Sequence, residues 1–209
     1  MTDRDDEQGG DSFEAQPFQP IVNLVGSKVA LGPRSRALLP LYLKWINDFE
    51  VARFLASGPR PTTLEAEEAW YERVADDEST VAFTVYERQT LRPIGTSSLH
   101  NVNYLHRTAE FGILIGEKDC WGKGYGTEAT ALVLDYGFND LGLHNIMLRV
   151  AACNERAIRA YQRAGFRAFG RRREAHRLGN RAYDEVYMEC VATEFDGSLL
   201  RGLASRREA

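Results

Sequence analysis

The 209 residues are enough for one sizeable domain, and the 44% of hydrophobic and 27% of charged residues are ordinary for a soluble globular protein. The net charge is −4, but residues 1–14 hold six acidic residues and one basic residue, so the remainder is close to neutral. This balance argues against non-specific nucleic-acid binding, and no apolar run is long enough to cross a bilayer.

The first part of the chain predicts a leader, a short strand and helices. Residues 1–20 are polar and acidic and lack the apolar segment of a signal peptide, so we expect a disordered leader and a cytoplasmic protein. Alternating apolar residues predict a strand at 27–31. Helical spacing around Trp45 predicts a helix that Asn47 and Asp48 divide into two short ones.

The rest of the chain predicts one more helix, and then strands whose apolar residues alternate, with two further helices among them. Thr62 and Glu65 form a capping-box pattern, which predicts a helix that ends near Asp76. Strands are predicted at 80–87, 93–102, 108–116, 145–153, 166–173 and 182–191, and helices at 124–139 and 155–164. This order predicts a single α/β domain at 21–193 around a mixed sheet, followed by a C-terminal tail at 194–209.

The stretch "CWGKGYGTEA" places three glycines in alternation at the start of a predicted helix. Each glycine weakens a helix by about 1 kcal/mol relative to alanine, so three of them need a reason beyond a tight turn. Glycine permits positive φ and lets a ligand approach the backbone, and free N–H groups at a helix N-terminus attract anions. We therefore interpret Gly122, Lys123, Gly124, Tyr125 and Gly126 as a diphosphate cradle. Its spacing fits neither a P-loop nor GxGxxG.

A second motif, "NERAIRAYQRAGF", follows a predicted strand directly. Together with "WGKGYGTEA" it resembles the two acetyl-CoA-binding motifs of the GNAT superfamily of N-acetyltransferases. The matching positions are Gly124, Gly126, Asn154, Ala157, Tyr161, Gly165 and Phe166. Trp121 stands where the superfamily commonly has Gln or Arg. With that Trp, the motif is similar to the branch of ribosomal-protein alanine acetyltransferases and related polyamine and antibiotic acetyltransferases.

The resemblance implies a GNAT-like fold, with about seven strands in a mixed sheet and about four helices, and acetyl-CoA as the co-substrate. It implies that the strands at 108–116 and 145–153 diverge and that the pantetheine arm enters between them. The residues implied in binding acetyl-CoA are Ile113, Leu114, Ile115, Gly122, Lys123, Gly124, Tyr125, Gly126, Thr127, Asn154 and Tyr161. For Asn154, a simple helix cap is the alternative.

The resemblance also implies catalytic groups for acetyl transfer to an amine. It assigns Tyr161 as the acid that protonates the leaving thiolate, whereas spacing alone favours a core aromatic residue. Glu110 is the candidate base, because it precedes Trp121 by eleven residues, the spacing of the catalytic glutamate in histone-type relatives. An exposed strand carboxylate is the alternative for Glu110. His100 or His106 could instead relay protons.

The acceptor stays open among primary amines: a protein N-terminus, a polyamine, an aminoglycoside or an amino sugar. Six arginines between 167 and 181 predict either a solvated hairpin or a docking surface for an acidic partner. Two other function classes also stay open, a catalytically silent CoA-binding module and a ribosome- or RNA-associated protein, and so does a homodimer. The four histidines and three cysteines lack metal-site spacing, so we expect no metal.

Overall fold

The computed structural model describes residues 19–55 and 58–200. Most of the predicted leader and the end of the predicted C-terminal tail lie outside these residues. Within the described part of the chain, no helix is both long and apolar enough to span a membrane.

In the described part of the chain, eight strands form one sheet in the order β1-β2-β3-β4-β5-β6-β8-β7. The strands are β1 (Leu24–Val25), β2 (Val29–Pro33), β3 (Val81–Glu87), β4 (Pro93–Asn103), β5 (Thr108–Ile115), β6 (Asn145–Ala151), β7 (Arg167–Leu178) and β8 (Arg181–Val191). All neighbouring strands are antiparallel except β5 and β6, which are parallel. The sequence predicts about seven strands; the eighth is the two-residue β1, which is too short to show a period.

Five α-helices, counted within the described ranges, pack on the two faces of this sheet. They are α1 (Leu39–Asn47), α2 (Phe49–Ala52), α3 (Leu64–Ala75), α4 (Tyr125–Asn139) and α5 (Glu155–Ala164). The predicted break between the first two falls at Asp48, whose carboxylate accepts hydrogen bonds from the N–H groups of Glu50 and Val51. Such a cap starts a new helix because it satisfies N–H groups that have no partner within the helix.

The helix α3 begins one residue later than the capping box predicts. Its N-cap is Thr63, whose hydroxyl accepts from the N–H of Ala66. The backbone of Thr62 is instead held by Asn47, which accepts from the Thr62 N–H at 2.9 Å and donates to the Thr62 carbonyl at 2.9 Å. A contact between distant residues therefore moves the start of this helix.

Two hydrophobic cores lie on opposite faces of the sheet. The larger one joins the sheet to α4 and α5, and the smaller one joins it to α1 through the buried Tyr42 and Trp45. The Trp45 ring lies so close to Gly116 that a Cβ there would be 2.2 Å from it. The indole N–H of Trp45 donates to Glu117 at 2.8 Å. These contacts fix α1 over the end of β5.

The C-terminal segment continues the domain beyond 193. The ring of Phe195 lies 5.4 Å from that of Phe138 on α4, and Leu200 is buried. The packed part of the described chain therefore includes residues that the sequence assigns to a tail.

The parallel strands β5 and β6 separate along their length. They are paired only from Thr108 with Asn145 to Glu110 with Met147. Beyond Glu110, β5 stays paired with β4 as far as Ile115, while β6 stays paired with β8 as far as Ala151. A gap therefore opens in the sheet between the ends of β5 and β6.

Candidate functional site

A cleft of about 250 Å³ occupies the gap between β5 and β6. Its walls are the end of β5, the glycine stretch, the first turn of α4 and one face of α5. Of the eleven residues predicted to bind acetyl-CoA, ten line it: Ile113, Leu114, Ile115, Gly122, Gly124, Tyr125, Gly126, Thr127, Asn154 and Tyr161. Lys123 does not line the cleft, although it lies within the same loop.

The glycine stretch turns sharply into α4 at the mouth of the cleft. Gly122 has φ of +78° and Gly124, the N-cap of α4, has φ of +85°, a region that favours glycine. The first backbone hydrogen bond of this helix is made by the N–H of Glu128 to the carbonyl of Gly124. Among the described residues, the N–H groups of 122–127 have no backbone partner. They form the kind of site that binds phosphate oxygens.

Basic side chains surround the same mouth. The ammonium group of Lys28 lies 3.2 Å from the carbonyl oxygen of Lys123. Arg156 of α5 stacks on the Trp121 ring at 4.2 Å, and Arg159 and Arg163 follow along the cleft wall. The site therefore combines free N–H groups with positive charge, which suits an anionic cofactor.

Lys28 is placed by a buried carboxylate that reaches from α4 to the β1–β2 turn. Glu128 accepts hydrogen bonds from the N–H of Ser27 at 2.5 Å, the hydroxyl of Ser27 at 2.7 Å and the N–H of Lys28 at 2.7 Å. Glu128 lies in the first turn of α4, where a carboxylate complements the helix dipole. Its three donors come from a turn 100 residues away, which no local pattern reveals.

The free edge of β5 forms one wall of the cleft. A Cβ at Gly95 would lie 2.1 Å from the carbonyl oxygen of Leu114, so that oxygen points toward β4. Because backbone groups alternate between the two edges of a strand, the N–H and carbonyl of Ile113 and Ile115 point into the gap. The Ile115 carbonyl already accepts the indole N–H of Trp121 at 2.8 Å. Ile113 therefore presents both its backbone N–H and its carbonyl to the cleft.

Tyr161 and Asn154 lie at opposite ends of the α5 wall. The Tyr161 ring packs edge-on against Phe111 at 6.1 Å and against Phe166 at 6.0 Å. Burial raises the pKa of Tyr161 to about 12, so its hydroxyl is protonated at neutral pH. Asn154 is the N-cap of α5 and accepts from the N–H of Ala157 at 3.3 Å.

A second cavity, of about 570 Å³, lies between α1, α3 and the sheet, and we name it the acceptor cavity. Leu55, Ile113 and Leu114 line both it and the cleft, so the two spaces meet at the end of β5.

Of the three candidates for the base or proton relay, only His100 lines the acceptor cavity. Its Nε2 lies 2.6 Å from the Ser98 hydroxyl, and burial holds the pKa of His100 below its ordinary 6.5. Glu110 stands opposite His100 in the β4–β5 register and lines neither space. The Glu110 carboxylate accepts from Nε of Arg149 at 2.8 Å. His106 lies outside both cavities.

The arginine-rich segment forms the β7–β8 hairpin at the edge of the sheet. Arg167 pairs with Glu194 at 3.1 Å and Arg171 with Asp184 at 3.3 Å. At its far end, His176 stacks on Phe54 at 6.2 Å. The described residues hold no group of three or more His, Cys, Asp or Glu that could bind a metal, and the three cysteines are free.

Comparison with known proteins agrees with this geometry. The family model for the "Acetyltransferase (GNAT) domain" matches residues 30–167. The spermidine N(1)-acetyltransferase of Vibrio cholerae is 30% identical over 71% of this chain and 84% of its own length. The α/β-tubulin N-acetyltransferase 9 of Homo sapiens is 32% identical over 68% of this chain and 74% of its own.

A solved structure is similar over an even larger share of the chain. The Vibrio cholerae spermidine N-acetyltransferase in complex with CoA and spermine aligns with a TM-score of 0.75 and 28% identity. The alignment covers 81% of this chain and 98% of that one.

The fold and the cleft thus define a GNAT-type enzyme, and the chain belongs to the GNAT acetyltransferase family. It is an N-acetyltransferase that uses acetyl-CoA as co-substrate. Its relatives include polyamine and tubulin acetyltransferases, and they do not single out the ribosomal-protein branch that the sequence suggested.

Proposed function

We propose that acetyl-CoA binds in the β5–β6 cleft and that a primary amine, entering through the acceptor cavity, takes the acetyl group from it directly. The observation that carries this proposal is the meeting of the two spaces at Ile113 and Leu114. The diphosphate would lie on the free N–H groups of 122–127, flanked by Lys28, and the pantetheine arm along the edge of β5.

The reacting atoms would then lie beside Ile113. The amine nitrogen forms a bond to the acetyl carbon, the carbon–sulfur bond breaks, and the sulfur takes a proton. The backbone N–H of Ile113 faces the cleft and is a donor for the oxygen that becomes negative in the transition state. The hydroxyl of Tyr161, protonated at neutral pH, is the proposed donor to the leaving sulfur.

For the proton that leaves the amine, the geometry favours His100 over Glu110. Burial keeps His100 neutral near pH 7, and it lines the cavity through which the amine enters. Glu110, the base that the sequence suggested, stands opposite His100 in the register but lines neither space, and it is held by Arg149. In this arrangement Glu110 is a positioning residue, because its charge favours the protonated form of His100 during the reaction.

The pH dependence of the rate separates the two candidates. If His100 is the base, the rate of the wild type rises with pH through a pKa below about 6.5. His100→Gln should remove this rise and lower turnover by about 100-fold. Glu110→Gln should keep the rise but move it to lower pH, since the charge that raises the His100 pKa is gone. A Glu110→Gln variant that loses the rise while His100→Gln retains it would assign the base to Glu110.

Measurement of thiol release with and without an added amine distinguishes an enzyme from a silent CoA-binding module. Thiol release that depends on an added amine contradicts a silent module, whereas binding of acetyl-CoA without transfer to any amine supports it. For a ribosome- or RNA-associated protein, RNA retention should weaken with salt and with Arg172→Ser on the hairpin.

A further inference from the structure

The acceptor cavity carries an unusual excess of positive charge for a space that must admit an amine. Among the described residues that line it, Arg34, Arg60 and Arg73 are cationic and Glu67 is the only carboxylate. The remaining ionisable base, His100, has its pKa lowered by burial and is neutral near pH 7. The lining therefore carries more positive than negative charge.

Arg34 is a fixed part of this lining. Its guanidinium lies 4.4 Å from the centre of the Tyr42 ring and 4.2 Å from that of Trp70. One of its terminal nitrogens lies 3.3 Å from Glu67, and only 8% of the Arg34 side chain is exposed. Its buried Nε has no hydrogen-bond partner among the described residues. A guanidinium held in this way is an oriented donor that loses little entropy when it binds a planar anion.

Arg60 and Arg73 are exposed at the rim of the same cavity. In the described part of the chain neither is in an ion pair, whereas Arg34 is matched by Glu67. The rim therefore keeps an excess of positive charge. Such a rim repels a polycation such as spermidine, and it attracts an oxyanion through the fork of N–H groups that guanidinium presents to a carboxylate.

We infer that the acceptor of this enzyme is a primary amine that also carries a carboxylate. The inference rests on the proposed function, and it names the substrate class of the acceptor cavity. The amine end lies near His100 at the junction of the two spaces, and the carboxylate lies toward Arg34, Arg60 and Arg73. An amino-acid-like small molecule and a peptide with an acidic residue near its N-terminus both have this chemistry.

The test compares acceptors that differ only in charge. Purified enzyme with saturating acetyl-CoA is given a homologous series of ω-amino carboxylates, the α,ω-diamines of the same lengths and the n-alkylamines of the same lengths. Thiol release gives kcat/KM for each. A second arm uses peptide amides whose second residue is Glu or Lys. We expect the carboxylate compound to exceed the diamine of equal length by at least about tenfold, or about 1.4 kcal/mol.

Variants at the rim assign the preference to the cavity. The double variant Arg60→Gln/Arg73→Gln should reduce the ratio of kcat/KM for the carboxylate compound to kcat/KM for the diamine to near unity. Arg73→Glu should reverse the preference in favour of the diamines. Arg173→Glu is the control, because it changes the net charge by the same amount as either rim variant. Since Arg173 lines neither space, this variant should keep the wild-type preference. Melting temperatures show whether each variant is folded, and both rim arginines are exposed, so their loss should not unfold the domain.

Each outcome decides the inference. A preference found only among the ω-amino acids assigns a small molecule, and one found only among the peptides assigns a protein N-terminus. A wild type that prefers the diamines, or a preference that survives the rim double variant, overturns the inference and leaves the proposed function standing. No transfer to any amine, while acetyl-CoA still binds, refutes the proposed function and removes the inference with it.

Discussion

Replacement of Tyr161 by Phe tests the proposed proton donor without disturbing the core. The ring contacts with Phe111 and Phe166 remain, and the hydroxyl makes no hydrogen bond within the described residues that would be lost. We therefore expect the free energy of unfolding and the affinity for acetyl-CoA to change by less than about 0.5 kcal/mol. Turnover should fall by about 10- to 1000-fold, which corresponds to about 1.4 to 4 kcal/mol of the activation barrier.

The assay must measure the chemical step. Single-turnover release of thiol from pre-bound acetyl-CoA, with the amine in excess, separates transfer from product release. Tyr136→Phe is the matched control, because Tyr136 is half-buried on α4, packs edge-on against Phe83 at 5.5 Å and does not line the cleft. Should Tyr161→Phe retain the full single-turnover rate while Tyr136→Phe behaves identically, Tyr161 is not the proton donor to the sulfur.

Three further predictions concern the cofactor site, the β1–β2 turn and the acceptor cavity. A Cβ at Gly126 would meet only Ile115, at 3.6 Å, so Gly126→Val should keep the domain folded but weaken acetyl-CoA binding at least tenfold by calorimetry, about 1.4 kcal/mol; unchanged affinity would refute the cradle. Glu128→Gln should lower the free energy of unfolding, measured in urea, by about 2 kcal/mol or more, because three donors lose a buried carboxylate. Glu155→Gln, at an exposed position, is the control and should lower it by less than about 0.5 kcal/mol. Equal losses of stability would contradict the role of Glu128. Burial raises the pKa of Glu67 above its ordinary 4.5, so its contribution to stability is greatest below pH 4.5 and falls as pH rises through the raised value. Glu67→Gln should remove that part of the pH dependence of the melting temperature, and an unchanged profile would show that Glu67 titrates normally.

Several features of the site could be predicted because neighbouring residues encode them. The φ values of Gly122 and Gly124 follow from the absence of a side chain, and Asn154 caps α5 with a donor three residues away. Strand alternation likewise gave the central strands β3 to β6 to within a few residues. In each case the backbone angle, the hydrogen bond or the alternation of apolar residues involves residues close together in the chain, so the sequence predicts it.

Other features depend on the order of strands in the sheet, which no local pattern reveals. The separation of β5 from β6 exists because each pairs with a different neighbour beyond Glu110. The ion pair of Glu110 with Arg149, which makes that carboxylate a weak candidate for the base, joins residues from two different strands. Sequence spacing alone placed Glu110 correctly in β5 but could not show what faces it.

The charge of the acceptor cavity was decided entirely by tertiary structure. Arg34 directly follows β2, Arg60 lies in the connection before α3, and Arg73 lies in α3 itself, so each is an ordinary surface arginine in the sequence. They converge because α1 and α3 pack over one face of the sheet and enclose a space. The amino-acid sequence by itself determined the family and the co-substrate, and it predicted the elements that we propose bind acetyl-CoA. The folded arrangement decided which charges line the acceptor cavity, because electrostatic fields add over residues that are distant in the chain and close in space.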